Sequence, residues 1–357
     1  MTSPLLNPVT LGALNLKNRI VMAPLTRARA TGTDNRTPND LMKEYYTQRA
    51  TAGLILTEAT AVTPMGVGYA KTPGIWSEEQ TQGWKKITEA VHAKGGLILM
   101  QLWHVGRISH PMFLNGETPV SASAIKPSGN VSLVRPPVEY PTPRALETSE
   151  IAGIVEAYRK GAVNAKTAGF DGVELHSANG YLLDQFLQDS TNKRTDQYGG
   201  SIENRVRLLL EVTDAAISVW GADRVGVHLA PRCDSHDMKD SNPKALFGYV
   251  AEELGQKKIA FIFTREYLAD DSITPEIKKR FGGPVIGNEK LSVPAAEELL
   301  LSGRADAISF GKDYISNPDL VERIASGATL NELVAKTIYA EGAVGYTDYP
   351  FMVTRQL

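Results

Sequence analysis

His176, Asn179 and Tyr181 stand within one six-residue stretch, HSANGY, directly after the apolar run AGFDGVEL. An imidazole, a carboxamide and a phenol so close together can hydrogen-bond a ligand or move a proton, and a surface turn needs none of them. Each also has an ordinary reading. His176 and Asn179 can cap the following helix, and Tyr181 can be a half-buried aromatic with a solvated hydroxyl. What favours a site is company, because Thr26, Glu58, Gln101, His104, His228, Arg265 and Lys312 also fall at or near the ends of apolar runs. Taken singly, Gln101 reads as an interior glutamine, Trp103 as packing, and Glu58 with Arg265 as an internal pair. Gly311, in ISFGKDYISNP, reads as backbone freedom ahead of a helix entered at Asn317 and Pro318. Their convergence describes a ligand-binding or catalytic mouth, and the residues alone do not name the reaction.

The elements that must position these side chains are short β-rich runs alternating with amphipathic stretches. The runs are RIVMAPL, GLILTEAT, GLILMQLWH, FDGVELH, RVGVHLAP, IAFIFTRE, GPVIGNE and ADAISFGK, eight in all. Between them lie segments of helical period such as TQGWKKITEAVHAKG, SEIAGIVEAYRKGAVNAKTAG, SIENRVRLLLEVTDAAISVWG and VPAAEELLLSG, several opening on Ser or Thr and closing on Gly. Strands apolar on both faces, each followed by a helix, imply a parallel sheet, and eight units fit a closed (β/α)8 TIM barrel of the α/β class. The chain reads as one domain over residues 1–357, with a short N-terminal hairpin closing the barrel floor. A Pro-, Gly- and Ser-rich segment from about Val105 to Leu146 reads as a loop excursion over the mouth after the third strand. In such barrels function collects where strands end, which is where the polar residues lie.

Composition narrows the classes of function. With 357 residues, 42% hydrophobic and 22% charged, the chain has the make-up of a globular protein with a large core. A net charge of −2 with scattered Lys and Arg gives no surface for nucleic acid or anionic membrane. The single cysteine, Cys233, excludes an internal disulfide, a Cys-rich zinc site and a cluster held by four thiolates of one chain. No metal site is expected. A reducing, cytoplasmic setting is expected, since MTSPLLNPVTLGALNLKNR lacks the pattern of a signal peptide and no apolar run approaches a membrane span.

Longer motifs carry a resemblance. NRIVMAPLTR, YYTQRATAGLILTEAT, GVGYAKTPGIW, QLWHVGRISHP, GFDGVELHSANGYLLDQFLQDSTNKRTDQYGGSIENR, DAISFGKDYISNPDL and GYTDYP are similar to those of the old yellow enzyme family of FMN-dependent ene-reductases. The likeness runs from about Leu6 to Pro350. VTPMGVGY, SHPMFLNGE, VSLVRP and LAPRCDSHDM resemble the xenobiotic reductase B and N-ethylmaleimide reductase group most. The resemblance implies non-covalent FMN, NADH or NADPH as reductant, and activated alkenes, nitro compounds or nitrate esters as small-molecule substrates turned over in a ping-pong cycle. It implies that Thr26 bonds the flavin carbonyl beside N5 and that Pro24, Ala59 and Gln101 contact the ring edge. His176 and Asn179 would bind the substrate oxygen, Tyr181 would protonate the α-carbon, and Trp103, Tyr69 and Tyr346 would form an aromatic slot. The phosphate would sit among Asn288, Glu289, Gly311 and Lys312.

Three departures from the family pattern bear on that site. Strand five reads HLAP where many members have an Arg that answers the charge of reduced flavin; His228, protonated, or Arg232 nearby is left to do so. The phosphate loop reads FGK, so Lys312 acts as a point charge. GNEK places Glu289 beside the phosphate, which is tolerable if its backbone N–H faces the anion and its side chain turns away. Thr26 itself sets the chain apart from the subgroup with Cys there. Two other classes remain open, a flavin barrel acting on RNA, against which the charge balance speaks, and a non-catalytic flavin carrier or redox sensor. A monomer and a homodimer are both compatible with the sequence. The protein is expected to purify yellow with FMN; colourless protein that takes up no FMN on reconstitution would refute this.

Overall fold

The computed structural model describes residues 3–31, 36–233 and 235–352. Asp234, within the LAPRCDSHDM motif, lies outside the described residues. The chain opens with an antiparallel pair, β1 (Val9–Leu11) and β2 (Leu14–Leu16), turned at Gly12, whose φ of +58° suits glycine. Leu11, Leu14 and Leu16 are buried against Val21, Leu54, Leu56, Leu99 and Phe261, so the hairpin plugs the floor of the barrel.

Eight parallel strands then close on themselves. They are β3 (Ile20–Met22), β4 (Leu54–Leu56), β6 (Ile98–Trp103), β9 (Val173–Ser177), β10 (Val225–Leu229), β11 (Phe261–Arg265), β12 (Val285–Asn288) and β13 (Ala307–Phe310). The pairing of β4 with β6 completes the ring, and the two-residue β5 (Thr60–Ala61) adds to β6. The eight apolar runs of the sequence are these eight strands, buried nearly throughout because hydrocarbon faces them on both sides. Around them run α1 (Asp40–Gln48), α2 (Glu78–His92), α3 (Thr148–Thr167), α4 (Leu182–Leu187), α5 (Ile202–Trp220), α6 (Pro243–Lys257), α7 (Thr274–Phe281), α8 (Val293–Leu301), α9 (Lys312–Ser316) and α10 (Leu320–Ser326). Asn39, Ser77, Ser201, Asn242 and Ser292 cap their helices, and Ser77 with Gln80 completes a capping box. Pro318 lies between two short helices, because α9 already begins at Lys312 and ends before Asn317.

The segment after β6 leaves and re-enters the body side by side, since β7 (Val120–Ser121) pairs in parallel with β8 (Arg144–Ala145). Between them residues 130–137 reach the mouth of the barrel. Buried Arg107 ties this excursion down by donating to the carbonyls of Ile125 and His236. A second set of buried arginines holds the C-terminal stretch. Arg27 and Arg29 donate to the carbonyl of Ile338, Arg29 also to those of Thr337, Gly342 and Val344, and Arg49 to that of Tyr346. Among the described residues no helix is long and apolar enough to cross a membrane.

The loops after β9 and β10 are locked together by a buried ion pair, Arg205 to Asp240, at 2.6 Å. Arg205 also donates to the Leu187 carbonyl at the end of α4, while Asp240 accepts from the backbone N–H groups of Asp189 and Asn242. Asp240→Ala strands a buried guanidinium, so unfolding in urea should show a loss of roughly 3–5 kcal/mol. A loss below about 1 kcal/mol, the range of exposed pairs, would show that the pair does not hold these loops.

Candidate active site

A cavity of about 1350 Å³ opens at the C-terminal ends of the strands. Strand register decides which side chains meet there. In the parallel ladder Gln101 of β6 lies beside Glu174 of β9, and His176 of β9 beside His228 of β10. The Gln101 amide accordingly donates to Glu174 at 2.7 Å and lies 3.1 Å from His228 Nδ1. The His176 and His228 rings stack, with centroids 5.1 Å apart and planes 12° from parallel. Burial brings His176 down to about 3, helped by the nearby Arg265 charge, so its imidazole is neutral at ordinary pH. His228 is pushed well below the usual imidazole value, by burial first and then by His176 and Arg265. Burial drives Glu174 the other way, up to about 8, against the pull of its bond from Gln101.

The loop after β9 turns sharply through Asn179 and Gly180, both at positive φ. A Cβ on Gly180 would lie 2.9 Å from Ser235 O and from two side chains, so the turn needs glycine on space as well as torsion. The turn is held from below, because Gly180 N–H donates to Asp184 and Gln185 bridges the carbonyls of Gly180 and Val105. The polar string behind HSANGY is thus internal scaffolding. Arg265 donates to Asn179 Oδ1 at 2.8 Å, which leaves the N–H groups of that amide to serve a ligand. Tyr181 and Tyr69 share a hydrogen bond of 2.8 Å between their hydroxyls. Tyr181 meets Trp103 and His176 edge to face, at 4.9 and 5.0 Å, and Tyr69 stacks on Trp103 at 5.5 Å. Burial pushes the Tyr181 hydroxyl well above its ordinary value, so it is a phenol with a proton to give.

Pro24, Thr26, Ala59, Gln101, Trp103, Tyr69, His176, Asn179, Tyr181, His228, Asn288, Glu289, Gly311 and Lys312 all line this one cavity. Glu289, at φ +111°, turns its carboxylate onto Arg265 Nε at 2.9 Å. Gly311 would place a Cβ in ordinary contact with Leu25 and Ala23, so any larger side chain there would intrude into the cavity it lines.

Several expectations need correction. Tyr346 takes no part in the lining; it is fully buried, stacked on Tyr45 at 4.0 Å beneath Arg27 and Arg29. Tyr339, on the same C-terminal stretch, lines the cavity instead. Of the two residues left to answer the reduced flavin, Arg232 pairs with Glu266 and Asp271 outside the cavity lining, while His228 lines the cavity with its charged form disfavoured by burial. Glu58 and Arg265 do not pair; Glu58 accepts from the Arg27 backbone and Tyr46, while Arg265 serves Asn179 and Glu289. His104 is buried outside the cavity lining, where it accepts from Gly106 N–H. Ser132, Leu133 and Arg135 of the excursion also line the cavity, where only the excursion as a whole was expected.

Three buried groups without a partner among the described residues, His176 Nδ1, His228 Nε2 and Trp103 Nε1, belong to rings of this lining. Lysines at 290 and 312 follow β12 and β13. Flat walls, neutral donors and cations after the last two strands suit a planar, polar-edged molecule with an anionic tail. Among the described residues no group of three or more His, Cys, Asp or Glu could hold a metal ion.

The NADH:flavin oxidoreductase / NADH oxidase family matches residues 4–331. The chain is 42% identical to 12-oxophytodienoate reductase 7 of Oryza sativa subsp. japonica, covering 98% of this chain and 95% of that protein. It is 41% identical to a probable flavin mononucleotide-dependent alkene reductase of Leishmania infantum, covering 98% and 97%. Among solved structures, morphinone reductase superposes with a TM-score of 0.95 at 45% identity, covering 100% of this chain and 98% of that one. The old yellow enzyme homologue from Zymomonas mobilis gives 0.95 at 44%, covering 98% and 99%. A cavity with neutral donors and a phenol on one wall, set in this barrel and matched over nearly its whole length, makes the chain a member of the NADH:flavin oxidoreductase / NADH oxidase family, among the old yellow enzyme homologues.

Proposed function

We propose that this barrel is an FMN-dependent NAD(P)H:alkene oxidoreductase that reduces the C=C bond of enones, maleimides and nitroalkenes, and reduces nitro compounds or nitrate esters at the same site. Bound FMN supplies the two-electron carrier between nicotinamide and alkene. Thr26, Pro24, Ala59 and Gln101 would hold its ring edge, with Asn288, Gly311 and Lys312 at its phosphate and the Glu289 side chain drawn aside by Arg265. The observation that carries the reading is the meeting of His176, at the end of β9, with the Asn179 amide and the Tyr181 phenol of the loop that follows it, at this cavity.

As hydride reaches the β-carbon, the substrate's carbonyl or nitro oxygen gains negative charge. A neutral His176 and the Asn179 N–H groups donate to that oxygen, and donors fixed in advance stabilise the charged transition state more than the neutral substrate. The turn through Asn179 and Gly180 and the bond from Arg265 hold the amide before substrate arrives. Tyr181 then gives its proton to the α-carbon, and the Tyr69 hydroxyl at 2.8 Å stabilises the phenolate it leaves. Trp103 and Tyr69 keep the slot narrow and apolar, which selects flat substrates and excludes water.

Tyr181→Phe keeps the ring packing and removes one hydroxyl. Stopped-flow should find flavin reduction by nicotinamide near the parent rate and cyclohexenone reduction slower by roughly 10²-fold, the scale for losing a positioned acid. A nitrate ester, which needs no carbon protonated, should be far less affected, and parent-like cyclohexenone reduction would remove Tyr181 from the acid's role. Lys312→Ala should loosen FMN roughly tenfold, about 1.4 kcal/mol, read as flavin lost on dilution. Full occupancy in dilute protein would place the phosphate elsewhere. Protein that holds FMN and is reduced by NAD(P)H but is reoxidised by no alkene would favour a flavin carrier or sensor.

A further inference from the structure

His228 occupies the place where the family resemblance puts an arginine, and its surroundings determine what it can do there. Its Nδ1 faces the Gln101 amide nitrogen at 3.1 Å, and that nitrogen also donates to Glu174 Oε2 at 2.7 Å. An amide nitrogen only donates, so Nδ1 is the acceptor and the imidazole proton sits on Nε2. Among the described residues Nε2 is buried without a partner, on a ring that lines the cavity. The ring is clamped between His176, stacked at 5.1 Å, and Phe263 at 4.3 Å.

Among the described residues, few charged and titratable groups face it. Glu174 of β9 lies 4.0 Å away across the Gln101 amide and, among the described residues, keeps one oxygen unpartnered. His176 of β9 is neutral, and Arg265 of β11 adds positive charge already paired with Glu289. Lys290 and Lys312 follow β12 and β13, two and three strands farther round the ring. Arg232, the other candidate, is drawn off by Glu266 and Asp271.

We propose that His228 serves the bound cofactor as an uncharged Nε2–H donor, oriented by Gln101, so that this enzyme holds its reduced cofactor less tightly than an arginine at the same position would. The inference rests on the reading of this cavity as an FMN site. Desolvation acts in the same direction, since burial disfavours the imidazolium. The hydride brings two electrons and one proton, leaving one negative charge on the cofactor, and His228 answers it with a dipole instead of a full charge. A lower midpoint potential results, so the step that accepts hydride from nicotinamide loses driving force and the step that passes it to the alkene gains the same amount.

The test is the midpoint potential of the FMN-loaded protein by dye equilibration, from pH 5.5 to 7.5, in the parent and in His228→Gln, His228→Arg and His228→Leu. His228→Gln keeps a neutral donor and should track the parent at every pH. His228→Arg should favour the reduced cofactor at least tenfold more, a rise of about 30 mV or more for a two-electron couple. His228→Leu, with no donor, should fall below the parent. Because the arginine variant introduces a buried charge that can disturb folding, the parent and the Gln variant suffice on their own. If the parent falls relative to His228→Gln by about an extra 30 mV per pH unit, one proton is taken up per two electrons, His228 becomes an imidazolium, and the proposal is overturned. Nitrogen-15 histidine spectra of the reduced protein give a second reading: one protonated ring nitrogen on His228 supports the proposal, and two refute it. Protein that binds no FMN would instead refute the cofactor reading, before His228 is tested at all.

Discussion

Parallel strand register is the constraint on which the mouth of this barrel depends. A ladder of β6, β9 and β10 sets Gln101 beside Glu174 and His176 beside His228, and a shift of one residue would send all four side chains to the opposite face. The register is secured from below. The strands carry hydrocarbon on both faces, and the hairpin Leu11, Leu14 and Leu16 fill the floor, leaving the upper ends as the place where polar groups can point inward without disrupting the core. Charge behaviour at the site follows from this placement, since groups fixed in a dry interior lose their ionised forms unless a partner faces them.

The same logic explains why the reactive loop is so heavily buttressed. An amide and a phenol held for use must not relax toward each other or toward the backbone, and the turn through Asn179 and Gly180 is a conformation that few residues adopt. Its cost is offset underneath by Asp184, Gln185 and the Arg205–Asp240 pair, none of which lines the cavity. Gln185 also accepts from the Ser121 hydroxyl and the Arg107 N–H, so one buried amide joins the reactive loop to the excursion roofing the mouth. Preorganisation in this protein is a property of that buried polar layer as much as of the side chains that meet the ligand.

Much of this was legible in the residues. The eight strands announce themselves as apolar runs, the helices through caps such as Ser77 and Ser201, and the site through polar residues where those runs end. The illegible part is long-range. Tyr339 and Tyr346 stand seven positions apart in a stretch without helical or strand period, and it is contacts with Arg27, Arg29 and Tyr45, about 300 residues upstream, that bury the second. Arg232 follows β10 and Arg265 ends β11, and each is claimed by an acid after the next strand, Glu266 after β11 for the first and Glu289 after β12 for the second. Roles that depend on such competition between partners have no local signature, whereas periodicity and capping do.

The arginines that grip the C-terminal stretch carry a consequence for how the protein is made. Arg27, Arg29 and Arg49 belong to the first barrel units, yet most of their partners are carbonyls between Tyr314 and Tyr346, and Tyr339 in that interval is part of the cavity wall. During synthesis those guanidinium groups emerge roughly 300 residues before the acceptors that satisfy them, and the ring of strands likewise waits for β13 to meet β3. Until residues 314–346 have emerged, the cavity lacks one side and the three guanidinium groups hold only their local bonds, to Tyr45, Gln48 and the Arg27 carbonyl. A ligand that touches every wall of the cavity therefore meets its whole site only once the stretch around Tyr339 is in place.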